Sequence, residues 1–157
     1  MQENVAVTII RDMTVEDVDA VLEIDKLSFP TAWARASYLL DLSNPNCFYL
    51  VVERERKVVG YGGMWVIKEE AHITTVAIYP DFRRQGLAQQ LLKEMIGVAI
   101  ERGAQMMTLE VRTANYLARR LYESYGFTPI GQVKHYYLDT GEDALVMSLN
   151  PLHLPRD

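Results

Sequence analysis

The sequence predicts a mixed α/β fold of α+β character, a sheet with helices packed on it. Three observations carry that prediction. Runs rich in β-branched and aromatic residues alternate with stretches of helical spacing, in the order β-α-α-β-β-β-α-β-α-β-β. No repeat, low-complexity tract or long linker divides the 157 residues, so one domain over 1–157, with its core at about 7–149, is expected. A glycine-containing turn, Arg83-Arg84-Gln85-Gly86-Leu87-Ala88, stands between a strand-like and a helix-like run.

Taken in order, Val5 to Ile10 reads as a strand. Thr14-Val15-Glu16-Asp17 resembles a capping box with Asp in place of Glu, and Val18, Val21 and Leu22 supply the apolar stripe of a helix. Phe29-Pro30 stops that helix, and a second covers Ala34 to Leu42. Phe48 to Glu53 and Val58 to Ile67 are strands around a solvated charged turn. The next strand, through Ile78, is closed by Pro80, and Leu87, Leu91, Leu92, Met95, Ile96 and Ala99 define a long helix ended by Gly103. Met106 to Val111 is a buried strand. Asn115 caps a short helix to about Tyr125, which Gly126 ends. Phe127 to Leu138 and Ala144 to Leu149 form a closing hairpin around Asp139-Thr140-Gly141.

Composition sets the bounds. The chain is 49% hydrophobic and 24% charged, as an ordinary globular protein is. A net charge of −5 argues against broad nucleic-acid binding and suits a basic partner. Cys47 is the one cysteine, which points to a reducing compartment. No run reaches the length of a membrane span, and the N-terminus lacks the pattern of a signal peptide. A cytoplasmic protein with no membrane partner is the expectation.

A glycine turn at a helix start, flanked by two arginines, suits an anion. The first backbone N–H groups of a helix have no partners within it, and the dipole favours negative charge there. A Walker loop needs a Gly-Lys-Ser/Thr ending that is missing here. The Rossmann fingerprint fails too: Gly60-Tyr61-Gly62-Gly63 lies inside a strand pattern, with Trp65 where a glycine is needed. Those glycines read better as a bulge or a close backbone approach.

What remains is Arg-x-x-Gly-x-Ala between strand and helix, with Arg83, Gly86 and Ala88 in the defined positions. It resembles the Gln/Arg-x-x-Gly-x-Gly/Ala signature of the GNAT superfamily of N-acetyltransferases. Four further stretches resemble the RimI-type ribosomal-protein alanine N-acetyltransferases within it: Phe29-Pro30 with Trp33, Leu109-Glu110-Val111-Arg112 with Asn115, Leu121-Tyr122 through Gly126-Phe127, and Tyr136-Tyr137 with Gly141-Glu142-Asp143-Ala144. One departure is that Thr31 and Ala32 separate Phe29-Pro30 from Trp33.

The resemblance implies a central, mostly antiparallel, twisted sheet of about seven strands. It implies helices on both faces and a splay between the two central parallel strands. Acetyl-CoA is the implied cosubstrate, with no metal. The turn from Arg83 through Arg84, Gln85, Gly86, Leu87 and Ala88 to Gln89 would hold its pyrophosphate, chiefly through backbone N–H groups. The backbone of Val76, Ala77 and Ile78 would pair with the pantetheine arm, and Asn115 and Tyr122 would also meet the cofactor. Asn115 is equally explained as a helix cap alone.

Acetyl transfer to an amine needs a neutral amine, a polarised carbonyl and a protonated leaving thiolate. An α-amino group, with a pKa of about 7.7–8.0, is partly neutral near neutrality, whereas lysine, at about 10.4, is almost wholly charged. A weak base therefore suffices for an N-terminus. Glu110 is the candidate base, and a carboxylate merely paired with Arg112 is the competing account. Tyr122 is the candidate acid, and an aromatic anchor is its competing account, a role also expected for Tyr116 and Tyr125. Trp33, Glu110, Tyr136, Tyr137, Glu142 and Asp143 are the candidate acceptor-binding residues. The three histidines show no metal-ligand spacing.

The leading expectation is acetylation of a protein N-terminus, the N-terminal alanine of a small-subunit ribosomal protein, by a monomer or weak dimer. A lysine, polyamine or other small amine as acceptor is the alternative. A CoA-binding module without catalysis comes third, and the presence of both Glu110 and Tyr122 counts against it.

Overall fold

The structure is a computed structural model that describes residues 7–29 and 33–155. Eleven regular elements run in the expected order. They are β1 (Thr8–Asp12), α1 (Val18–Ser28), α2 (Arg35–Leu42), β2 (Cys47–Arg54), β3 (Lys57–Ile67), β4 (Glu70–Ile78), α3 (Leu87–Glu101), β5 (Met106–Arg112), α4 (Tyr116–Ser124), β6 (Thr128–Val133) and β7 (Ala144–Leu149). The strands form one seven-stranded sheet in the hydrogen-bonded order β1-β2-β3-β4-β5-β7-β6. β4 and β5 are parallel, while β1–β2, β5–β7 and β6–β7 are antiparallel. The parallel register runs from Glu70 opposite Met106 to Ile73 opposite Leu109. Both strands continue past it, β4 to Ile78 and β5 to Arg112.

Residue contacts group the chain into two compact units, 1–63 with 75–94 and 64–74 with 95–157. In the first, Val18, Val21 and Ile24 of α1 cluster with Tyr38, Tyr49, Val51 and Tyr61. Each apolar side chain so buried contributes about 1.5–3 kcal/mol. The capping box forms: the Thr14 backbone N–H donates to Asp17 Oδ2 at 2.8 Å and opens a 3₁₀ turn into α1. Phe29 ends α1 in an extended conformation, as a residue before proline must. The glycines of β3 serve close approach. A Cβ on Gly60 would stand 2.5 Å from Ile78 Cδ1, and one on Gly63 2.4 Å from Tyr49 Cε1. At the β2–β3 turn, Glu55 and Arg56 both take positive φ, the backbone of a two-residue hairpin that twists with its strands.

In the second unit, Met95, Ile96 and Ala99 of α3 are fully buried, as are Met107 and Met147. Gly103 (φ +92°) ends α3 as expected: its N–H donates to Ile100 O and that of Ala104 to Ala99 O, each at 3.0 Å. Gly126 (φ +97°) repeats the motif after α4, with Phe127 N–H on Tyr122 O at 3.1 Å. One expectation fails. The strand drawn from Phe127 to Leu138 stops at Val133, and 134–143 is an irregular connection. The adjacent Tyr136 and Tyr137 are of a type favoured in strands, but the Asp143 side chain takes the His135 N–H, a bond that competes with the ladder. Among the described residues, no helix is long and apolar enough to cross a membrane.

Candidate active site

In the first unit, β4 leads through a 3₁₀ turn, Pro80–Phe82, to the glycine turn. Arg84 (φ +64°) and Gly86 (φ +76°) both take left-handed backbone, which folds the chain sharply onto the start of α3. The first helical bond is Gln90 N–H to Gly86 O at 3.2 Å. The N–H groups of Leu87 and Ala88 therefore precede the ladder and have no partner within the helix. The two flanking side chains are engaged elsewhere. Arg83 Nε donates to Ile78 O at 2.9 Å, and Gln85 Oε1 accepts from Arg54 at 3.1 Å. The Arg83 guanidinium is a strut between the turn and the strand before it. Ala77 and Ile78 are buried, and Val76 is half-buried.

In the same unit, α1 and α2 meet in a buried polar knot. Asp25, 1% exposed, accepts from the hydroxyls of both Tyr38 and Tyr61. Burial and the adjacent carboxylate push both phenols far above their ordinary range. The Trp33 ring stands 5.5 Å from that of Tyr38 and is 48% exposed, available for contact. Thr31 and Ala32, the departure from the family pattern, lie outside the described residues, as does Pro30.

The second unit holds the carboxylate expected to act as base. Period-two alternation along β5 sets Thr108, Glu110 and Arg112 on one face. Arg112 is not the partner of Glu110, contrary to the competing account. Glu110 Oε2 lies 2.8 Å from His72 Nε2. His72 Nδ1 lies 2.7 Å from Thr108 Oγ1, and Thr108 donates to Glu70 Oε1 at 3.2 Å. Trp65 stacks on the imidazole at 5.1 Å between ring centres. His72 is the residue that sequence reasoning missed. The parallel register that sets His72 opposite Thr108 places Glu110 one step further along the same face, so a prediction of that register was the available signal.

Arg112 instead gathers the 134–143 connection. It donates to Asp139 Oδ2 at 2.9 Å, to Thr140 Oγ1 at 3.1 Å and to Glu142 Oε1 at 3.4 Å, and its guanidinium lies 4.0 Å over the Tyr137 ring. Asp143 accepts from the His135 N–H at 2.9 Å and from Gln132 at 2.7 Å, which holds its carboxyl below the ordinary range. Glu142 and Asp143, expected to bind the acceptor, are thus engaged in shaping the loop. Tyr136, 46% exposed, and Tyr137, packed edge-to-face at 5.0 Å, present the aromatic surface of that loop.

Asn115 caps α4, its side chain accepting from Ala118 N–H at 3.2 Å. Tyr122 is buried against Phe127 at 5.7 Å, and burial pushes its phenol up to about 12. It therefore stays protonated through the neutral range. Tyr116, expected as an anchor, is 67% exposed and lies under Arg119. It sits in the first turn of α4, on the solvent side, where no core reaches it.

A glycine turn thus opens a helix after a strand, and a carboxylate paired with a histidine stands on the strand that follows that helix. The chain belongs to the acetyltransferase (GNAT) family, whose model matches residues 18–127. It is 40% identical, over 88% of its length and 92% of the relative's, to a Bacillus subtilis (strain 168) protein provisionally named [ribosomal protein bS18]-alanine N-acetyltransferase. The ribosomal-protein-S18-alanine N-acetyltransferase of Escherichia coli superposes with a TM-score of 0.85 at 27% identity, covering 96% of this chain and 98% of that one. A Salmonella typhimurium protein, provisionally named an acetyltransferase and solved with its cofactor acetyl-CoA, shares the fold, with a TM-score of 0.80 at 22% identity over 95% and 98% of the two chains.

Proposed function

We propose that this chain is one acetyltransferase domain that moves the acetyl group of acetyl-CoA to a protein N-terminus, the N-terminal alanine of ribosomal protein bS18. The observation that carries this reading is the Glu110 carboxylate held by His72, joined to the names of relatives that span nearly the whole chain. Such an acceptor places the enzyme with the ribosome, in the cytoplasm.

Acetyl-CoA supplies a thioester whose carbonyl carbon the amine attacks, forming the amide as the carbon–sulfur bond breaks. The glycine turn fits its diphosphate: Gly86 leaves the approach clear of a Cβ, and the N–H groups of Leu87 and Ala88 precede the helical ladder. Glu110 takes the proton that the amine loses. A carboxylate suffices because an α-amino group is partly neutral near pH 7.5. Tyr122 hydrogen-bonds the leaving sulfur and returns a proton to it. Burial makes the phenol a weak acid, so its contribution lies chiefly in that bond. Tyr136 and Trp33 are exposed aromatic rings, and Tyr137 is half-buried beside Tyr136; these three are offered to the acceptor. The net charge of −5 suits a basic peptide.

Intact-mass analysis of a peptide copying the bS18 N-terminus, incubated with enzyme and acetyl-CoA, tests the reading. A single added acetyl on the α-amine is expected. Acetylation of small amines alone refutes the peptide assignment.

A further inference from the structure

Behind the Glu110–His72 pair stand two residues to which nothing above gives a role, Thr108 and Glu70. A carboxylate only accepts hydrogen bonds, so the 3.2 Å approach of Thr108 Oγ1 to Glu70 Oε1 uses the hydroxyl proton of Thr108. The hydroxyl oxygen then has only lone pairs to offer its other neighbour. That neighbour is His72 Nδ1, 2.7 Å away, and the contact is a hydrogen bond only if Nδ1 carries a proton. The reverse arrangement, with Thr108 donating to Nδ1, leaves two oxygens facing each other across the Glu70 contact with no proton between them. Thr108 is 6% exposed, so no bulk water relieves that repulsion.

With Nδ1 protonated, Nε2 is the ring nitrogen that meets Glu110 Oε2 at 2.8 Å, a contact that is a hydrogen bond when a proton lies between the two atoms. The second oxygen of Glu110 is left to receive a proton from the acceptor. Trp65 fixes the plane of the ring by stacking on its face. Partners of this kind, one bond removed from the working group, commonly change activity by about 10–100-fold.

We propose that Thr108 and Glu70 are positioning residues that lock the proton of His72 on Nδ1 and thereby orient Nε2 toward Glu110. The functional part of this rests on the acetyl-transfer reading above, and its structural part does not.

The test is nitrogen NMR of histidine-labelled full-length protein, with the His72 signals assigned by their loss in His72→Gln. In the wild type, Nδ1 is expected in the protonated form. Thr108→Val is expected to abolish that signature and Thr108→Ser to restore it. Glu70→Ala, which frees the hydroxyl to turn toward Nδ1, is expected to move the signal in the direction of Thr108→Val and stands in if that variant does not fold. In acetylation assays, Thr108→Val should lower kcat about tenfold and leave the KM for acetyl-CoA unchanged, with Thr108→Ser near wild type. An unprotonated Nδ1 in the wild type overturns the proposal, as does a Thr108→Val protein with the wild-type signature. A wild type with protonated Nδ1 that acetylates no peptide refutes the acetyl-transfer reading and leaves the positioning intact.

Discussion

Glu110 and His72 meet through Oε2 and Nε2 at 2.8 Å, although they belong to different strands. Both strands are central, and the contact joins the expected base to a residue of no expected role. Residues that act as one unit lose activity non-additively. Glu110→Gln should lower kcat on an alanine-started peptide by about 100-fold or more. His72→Gln should lower it less, and the double variant should resemble Glu110→Gln. Initial rates of CoA release measure all three, and full additivity would show that the two work independently.

Tyr122 is predicted to act on the chemical step. Tyr122→Phe keeps the ring that packs on Phe127 and removes only the hydroxyl. A fall in kcat of about 100-fold with an unchanged melting temperature is expected. A loss of stability with unchanged kcat would mark Tyr122 as an anchor.

Gly86 holds a left-handed backbone at φ +76°, yet a Cβ there would have ordinary room, 3.8 Å from Gln89 Oε1. Its replacement is therefore a matter of backbone strain, about 1–2 kcal/mol. Gly86→Ala should weaken acetyl-CoA binding by roughly tenfold, measured by calorimetry, as the strained turn relaxes and its N–H groups turn away. Equal affinity would show that the turn does not hold the cosubstrate.

Asp25 depends on two phenol hydroxyls. Tyr61→Phe removes one and leaves the buried carboxylate short of a donor, which costs about 1–3 kcal/mol. Thermal unfolding should show the loss, and Tyr38→Phe should show a similar one.

Asp17 responds to pH in a defined direction. The Arg11 guanidinium at 2.8 Å, together with the Thr14 N–H, holds its carboxyl below the ordinary range. A carboxylate whose folded pKa is depressed stabilises the fold above its unfolded pKa, near 3.9, and that contribution disappears as pH falls through the folded value. Urea unfolding from pH 6 to pH 2 should show wild type and Asp17→Asn converging at the acid end. A constant difference across that range would contradict the assignment.

What was legible in the sequence was what local chemistry decides. Asn115, Gly103 and Gly126 act at helix ends through bonds to residues a few positions away, so their effect reads directly from spacing. The glycine turn was legible for the same reason. The partner of Glu110 was not, because His72 reaches it only through the parallel register of β4 and β5, which no short-range signal specifies. The over-long final hairpin failed similarly. Tyr136 and Tyr137 are of a type favoured in strands, and only the position of Arg112, set by β5, shows why the chain folds into a loop there.

That loop has a consequence for engineering. Residues 134–143 are gathered by one guanidinium from β5 and by a carboxylate, Asp143, at their own end. They behave as a cassette with a separate latch. A graft that imports a homologue's loop to change acceptor preference must import its match to Arg112 as well. Directed libraries confined to the loop will mostly sample unlatched conformations, whereas libraries that vary position 112 together with 137, 139 and 142 will sample new shapes of the same aromatic surface.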